Sequence, residues 1–334
     1  MGVDEGRSIE VVALGSAIVD MFCQVPEGYV EQLGIQKGSM RLVGPEISDS
    51  VIKLLGKVEV RGGGSAANTL VGMANLGHKV TLIARTDLDT FGNQYVSDLV
   101  ECGVDVVRPN IAHDLGTGRC LVMVTPDGER TMATWLGAAS HLQLDDNSKA
   151  VIADSKLLYI EGYLYDLDST KAQIHSAIDV AVKYNVQIAL SLSDPFCVSR
   201  HRDEFQDLLD GPVAIVFANK EESRILTGLE DPEQIVTVLR RKSLSGAVTL
   251  GSSGAIVFDQ SGSFHVPAQR VDPIIDTTGA GDLFAAGYLH GVLMGGDKRI
   301  QQCGMYGVAC SAEVLSHFGA RPNINLRHLI DDFS

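Results

Sequence analysis

Two periods of apolar residues run through this chain, and the switches between them outline its elements. Val11-Val12-Ala13-Leu14-Gly15 is a short continuous apolar run, the pattern of a strand buried on both faces. Similar runs predict strands over residues 80–84, 157–161, 186–192 and 213–218. Helical spacing predicts helices over residues 69–76, 91–102, 169–184 and 202–209. Strands that alternate with helices require parallel pairing through right-handed crossovers, which makes an α/β fold. Two further helices, 299–315 and 326–333, close the chain.

Four β-prone runs fall outside this rhythm. Met21-Phe22-Cys23-Gln24-Val25 and Ser39-Met40-Arg41-Leu42-Val43 lie in a stretch without helical periodicity. Cys120-Leu121-Val122-Met123-Val124 and Thr131-Met132-Ala133-Thr134-Trp135 flank Pro126-Asp127-Gly128-Glu129, and Asp-Gly between two such runs is a strong hairpin signal. We read the four as one small sheet, formed by insertions near residues 18–45 and 112–136, that covers a site as a lid. Arg130 and Trp135 are assigned to packing and surface. Residues 1–334 show no repeat, linker or break, so a single domain is expected.

Composition narrows the partners. With 334 residues, 45% of them hydrophobic, the chain can bury a large core. Its formal charge of −15, without a basic patch, argues against nucleic acid and anionic membranes. The opening residues Met1-Gly2-Val3-Asp4-Glu5-Gly6 lack the basic and apolar regions of a secretory leader. Six scattered cysteines form no C-x-x-C pair, and nine histidines show no ligand spacing, so neither a disulfide framework nor a His-bound metal is expected. A cytoplasmic protein, monomer or homodimer, is the resulting expectation.

The chemistry concentrates in Asp276-Thr277-Thr278-Gly279-Ala280-Gly281-Asp282. An extended segment, residues 264–275, precedes it and an apolar helical run, 283–294, follows, which reads as strand, turn, helix. Glycines let the turn expose its N–H groups, and a helix N-terminus adds partial positive charge, so the turn is an anion site. Asp282 in the first helical turn sits beside that anion. A capping role alone would also explain it. A carboxylate next to a phosphate otherwise suggests work on a proton, and its place at the helix N-terminus favours the ionised form.

Other glycines and acids stand at strand ends. Asp20 follows the first strand. Arg61-Gly62-Gly63-Gly64-Ser65-Ala66-Ala67-Asn68 leads into a helix but lacks the spacing of a dinucleotide fingerprint, and no stretch matches the phosphate loop G-x-x-x-x-G-K-[ST]. Ser193-Asp194-Pro195-Phe196 and Asn219-Lys220-Glu221-Glu222 follow later strands. Ala247-Val248-Thr249-Leu250-Gly251-Ser252-Ser253-Gly254 is a strand and a glycine turn, with a further strand over 255–258.

Together these motifs, from Asp20 to about Arg321, resemble the ribokinase-like kinases, the PfkB carbohydrate kinase family. The resemblance implies a three-layer α/β/α sandwich with a mostly parallel central sheet and a small β-sheet lid. It implies that Gly279, Ala280 and Gly281 hold the transferring phosphate and that Asp282 activates the acceptor hydroxyl. Asp20, Gly63, Gly64 and Asn68 would lie against a ribose. Asn219, Thr249, Gly251 and Gly254 would contact the nucleotide. Glu222 would hold Mg²⁺ through water, and the Asp276 and Thr278 carbonyls would approach a K⁺. Ser252 departs from the pattern, since many members are basic there. Ser193-Asp194-Pro195-Phe196 resembles the adenosine kinase branch, where this Phe stacks on adenine. The expected activity is ATP-dependent phosphorylation of a primary ribose hydroxyl, with the 5′-hydroxyl of adenosine first among candidates. A ribokinase- or fructokinase-type sugar kinase, an NAD-binding oxidoreductase and a non-catalytic nucleoside-binding protein are the alternatives.

Overall fold

The computed structural model describes residues 6–38, 40–55, 59–109, 115–127, 129–242, 244–295 and 299–331. Ser39 and Gly128 of the expected small sheet, and the expected helix end at Phe333, lie outside these residues. In chain order the strands are β1 (Ile9–Leu14), β2 (Ile18–Gln24), β3 (Met40–Leu42), β4 (Glu59–Gly62), β5 (Val80–Ile83), β6 (Val104–Val107) and β7 (Gly118–Val124). They continue with β8 (Arg130–Trp135), β9 (Ser155–Glu161), β10 (Gln187–Ser191), β11 (Ile215–Asn219), β12 (Ser245–Thr249), β13 (Ala255–Phe258) and β14 (Ser263–Val266).

Nine strands form the main sheet in the order β14-β13-β12-β11-β10-β9-β1-β5-β6. Pairing is parallel from β12 to β6 and antiparallel only at the β12-β13-β14 edge. Two large apolar clusters cover its two faces. Leu14, Leu158, Ile188 and Val216 belong to one; Ala13, Leu157, Ala189 and Ile215 belong to the other. Consecutive strand residues thus enter opposite cores, which is why these strands carry continuous apolar runs. The fold is the expected three-layer α/β/α sandwich. The chain leaves β1 toward β5 on one side and returns to β9 on the other. That reversal opens a crevice at the carboxyl ends of β1 and β9, where open α/β sheets take their ligands.

The small sheet has five strands, β3-β8-β7-β2-β4, with its own core of Met21, Leu121, Met123 and Ala133. Sequence reading gave four strands; β4 and the helix Pro45–Leu55 escaped it. The strand expected to run to Ile275 ends at Val266. Pro267 and Pro273 interrupt the segment, and Ile274 and Ile275 are exposed. The signature therefore follows an irregular loop, not a strand.

Gly304 and Gly307, on the helix Arg299–Val314, serve packing. A Cβ at Gly304 would lie 2.7 Å from Val266 Cγ2, and one at Gly307 would lie 2.9 Å from the Phe284 carbonyl oxygen. No helix among the described residues is long and apolar enough to cross a membrane, and all six cysteines are free.

Candidate active site

Asp282 is the third residue of the helix Ala280–Met294. Gly279 caps that helix in the left-handed region, φ +79°, and an added Cβ would lie 2.6 Å from the Ala320 Cα. Only glycine meets both demands. A Cβ at Gly281 would meet nothing within 4 Å, so the first helical turn faces open space. The first N–H groups of a helix have no intrahelical partner, so this turn presents donors to the cavity.

The Asp282 carboxylate accepts from Ser65 Oγ at 2.6 Å and from Asn68 Nδ2 at 2.9 Å. Both donors sit on the helix Ser65–Asn75, three residues apart and so on one face. Burial pushes the Asp282 carboxyl up to about 6, against the two hydrogen bonds that lower it. Desolvation thus outweighs the helix terminus, and the ionised form is less favoured than its position in the sequence suggests. A carboxyl near 6 is well matched to accepting a proton at neutral pH.

Asp20 stands on β2, deep in the same cavity. A Cβ at Gly63 would lie 2.4 Å from Asp20 Oδ2, so the glycine makes room for the carboxylate. Burial pushes the Asp20 carboxyl up to about 7; the Arg321 charge pulls it down and the Asp282 charge pushes it up. Asn68 Oδ1 is buried with no hydrogen-bond partner among the described residues. Asp20, Gly64, Ser65, Asn68, Thr278, Gly279, Gly281 and Asp282 all line one cavity of about 450 Å³. Asn219, Glu222 and Thr249 line its far end.

Glu161 also lines this cavity and was missed in the sequence. At the end of β9 it accepts the Ser16 N–H and the Ala66 N–H, each at 2.9 Å. It thereby ties the turn after β1 to the start of the helix Ser65–Asn75. An acid closing an apolar strand was the available signal; Asp20, expected at such an end, instead stands within β2 of the small sheet. Ser65 was missed as well, although its spacing from Asn68 puts both on one helical face.

The Asn219–Glu222 pair forms a reciprocal cap on the helix Lys220–Thr227. Glu222 N donates to Asn219 Oδ1 at 2.8 Å, while Glu222 accepts the Asn219 N–H at 2.8 Å and the Asn219 side-chain amide at 2.6 Å. Burial pushes Glu222 up to about 7, and the nearby Asp194 charge adds to that. Gly251 is left-handed with φ +60° and faces open space. Gly254 is packed instead: a Cβ there would lie 2.0 Å from the Val266 carbonyl oxygen.

Asp276 lies behind the turn. It accepts the Thr278 N–H at 2.8 Å and the Gly319 N–H at 3.0 Å, and it pairs with Arg130 from the small sheet. Arg130 also donates to Thr278 Oγ1 at 2.6 Å, so it is no mere surface residue.

Phe196 stands outside the cavity walls. Asp194 and Pro195 start the helix Pro195–Arg200, which buries Cys197 and Val198 and leaves Phe196 62% exposed.

Seven cavity residues come from the small sheet: Ile18, Asp20, Met40, Leu42, Cys120, Met132 and Thr134. Asp20 apart, they and Leu136 make a largely apolar roof over the polar floor.

A helix terminus open to an anion, a hydrogen-bonded carboxylate beside it and a roofed cavity suit transfer of a phosphoryl group to a hydroxyl. This is a phosphotransferase with an alcohol group as acceptor, of the kind that acts on sugars or nucleosides. The chain belongs to the pfkB family of carbohydrate kinases, whose family model matches residues 34–326. It is 29% identical over 273 residues to a ribokinase from Haemophilus influenzae, covering 79% of this chain and 84% of that one. Its structure is similar to that of an adenosine kinase from Sinorhizobium meliloti, with TM-score 0.89 and 34% identity over 98% of this chain and 99% of that one. It is similar to a probable sugar kinase protein from Rhizobium etli, with TM-score 0.90, 34% identity and the same coverage.

Proposed function

We propose that the chain is an ATP-dependent nucleoside kinase that phosphorylates the 5′-hydroxyl of adenosine to give AMP. The observation that carries the nucleoside half of this reading is the roof. Leu42 and Met132 are 40% and 36% exposed and, with Met40, give the cavity a run of large apolar side chains on one side. A flat nucleobase would cover them, and methionine sulfur packs favourably on aromatic rings. Free ribose or fructose would leave them in water, so the sugar-kinase alternative leaves the roof without a purpose.

Below the base, Asp20 and the unpaired Asn68 Oδ1 are acceptors suited to ribose hydroxyls, with the Gly63-Gly64 backbone close by. The 5′-hydroxyl then points to Asp282. Its oxygen attacks the γ-phosphorus, the bond from that phosphorus to the bridging oxygen breaks, and ADP leaves with the electron pair. The hydroxyl proton passes to the Asp282 carboxylate. Phosphoryl transfer has a loose transition state, so catalysis rests on positioning and charge. The Gly279 and Gly281 N–H groups supply the anion hole, while the Ala280 N–H lies 3.3 Å from the Thr277 carbonyl and would have to leave it to join them. With substrate covering the roof, water that would otherwise hydrolyse ATP would be kept out.

Asn219, Thr249 and Gly251 are assigned to the nucleotide. Gly254 is adjacent through its turn, and its own backbone is occupied in packing. Mg²⁺, when bound, supplies positive charge to the nucleotide phosphates. Glu222 would hold it through water, and the charge of Glu222 beside Asp194 suits a cation. The Asp276 carboxylate is already matched by Arg130 and two N–H donors. A K⁺ would therefore reach this loop only through the Asp276 and Thr278 carbonyls, and equal turnover in K⁺ and choline chloride would exclude it.

The test is product identity. Incubation with ATP, Mg²⁺ and adenosine should give AMP, with the phosphorus signal of a 5′-monoester. ADP release without AMP, or a phosphorylated sugar in preference to AMP, would overturn the reading.

A further inference from the structure

Three consecutive residues beyond the helix Arg299–Val314 brace the site from behind. Gly319 donates to Asp276, and Ala320 lies against Gly279. Arg321 faces the glycine run: a Cβ at Gly62 would lie 2.4 Å from its Nη2 and 3.3 Å from its Nη1. The next residue, Gly63, faces the Asp20 carboxylate in the same way, at 2.4 Å. Guanidinium and carboxylate thus stand at two adjacent glycines, where any side chain would displace one of them, and no hydrogen bond or ion pair joins them directly among the described residues. Arg321 Nε and Nη2 are buried without a hydrogen-bond partner among the described residues, and so is the hydroxyl of neighbouring Tyr95. A buried charge that makes no contact pair is costly unless an opposite charge faces it.

We infer that Arg321 is a positioning residue for substrate binding, whose buried charge holds Asp20 as the carboxylate acceptor that the ribose hydroxyls need. The inference rests on the role proposed for Asp20 above.

The surroundings support it from every side. Opposite Asp20 in the small sheet stand Arg61 on β4 and Cys120 on β7. Arg61 places Nη1 on the Phe318 carbonyl at 3.0 Å and its guanidinium 5.8 Å from the Phe22 ring. Burial pushes the Cys120 thiol far up, so it stays neutral. Asp282, Glu161 and Tyr95 add negative charge or none. Burial and Asp282 both favour the protonated form of Asp20, and Arg321 opposes them.

Arg321→Met keeps the stem under Gly62 and removes the charge; Arg321→Lys restores it. At saturating ATP, Arg321→Met should raise the nucleoside KM about tenfold at neutral pH, an effect of one decade in binding. It should leave the KM for ATP unchanged and move the acid limb of kcat/KM upward by about one pH unit. Arg321→Lys should recover most of the loss. In an Asp20→Asn background, Arg321→Met should have almost no further effect, whereas a purely structural role would cost as much again. An unmoved acid limb, or an equal loss in the Asp20→Asn background, overturns the inference. If Arg321→Met does not fold, Arg321→Gln against Arg321→Lys gives the same comparison. If wild type phosphorylates a sugar and not adenosine, the nucleoside reading fails alone, and the same limbs are read on that sugar.

Discussion

The floor and the roof of the cavity are built by opposite means. The floor belongs to the main sheet and its helices and is polar, buried and tied by short-range bonds: Ser65 and Asn68 to Asp282, Ser16 and Ala66 to Glu161. The roof belongs to the small sheet and presents the apolar side chains of Met40, Leu42 and Met132. Desolvated carboxylates on a rigid floor suit chemistry, where a small displacement is expensive. Flexible apolar side chains on a separate sheet suit choice of substrate. Under the proposed function the reaction and the choice of substrate fall to separate parts of the fold, so mutations should split them.

The largest effect belongs to the floor. Asp282→Asn should lower kcat by ~10²–10⁴-fold, the range for a lost acid–base group, while adenosine still binds in calorimetry. The same variant should be more stable than wild type near neutral pH. The folded state holds Asp282 at about 6 against an ordinary value of 3.8. Its favourable contribution is therefore complete below that ordinary value and is lost as pH rises through about 6. The gain in Tm from Asp282→Asn should be largest at pH 7 and above and shrink as pH falls through that window. A gain independent of pH would break the link between burial and the base.

The roof comes next. Replacing Met40 and Met132 together by Ser should lower kcat/KM for adenosine by about one to two decades, from ~1.5–3 kcal/mol of lost apolar contact. Activity on free ribose, where measurable, should be unchanged. Equal losses on both would show that the roof only closes the site. The pH dependence is smaller. Asp282 and Asp20 titrate near about 6 and about 7 and feel each other's charge, so kcat/KM should fall as pH drops through that range, as two steps belonging to the pair. A profile flat down to pH 5 would contradict both burials. Phe196→Ala should have the smallest effect, since Phe196 is exposed and outside the walls. A tenfold loss on adenosine alone would return it to the base-stacking role suggested by its motif.

The same contrast explains what was legible in the sequence. The parallel strands, Asp282 and the glycine runs were readable because their constraints are local: continuous apolar runs, glycines where a Cβ would clash, an acid in the first turn of a helix. The strand expected before the signature failed because Pro267 and Pro273 interrupt it and the residues between them are mostly polar. β4 was hidden beside the glycine run, and the helix Pro45–Leu55 follows a stretch with no helical pattern. Arg130 was opaque for another reason. Its partner, Asp276, is far away in sequence, and a lone arginine carries no mark of what it will face. Burial also reversed the expected charge preference of Asp282, because desolvation depends on the whole fold and not on the helix terminus alone.

The central claim is that a polar floor phosphorylates a ribose hydroxyl while an apolar roof selects a nucleoside. It is tested most directly by kcat/KM for adenosine and for ribose, measured as ADP release by one wild-type preparation with ATP and Mg²⁺. Adenosine should exceed ribose by at least about tenfold, the decade expected from ~1.4 kcal/mol of base contact. Ribose or fructose turned over as well as adenosine, or better, would contradict it.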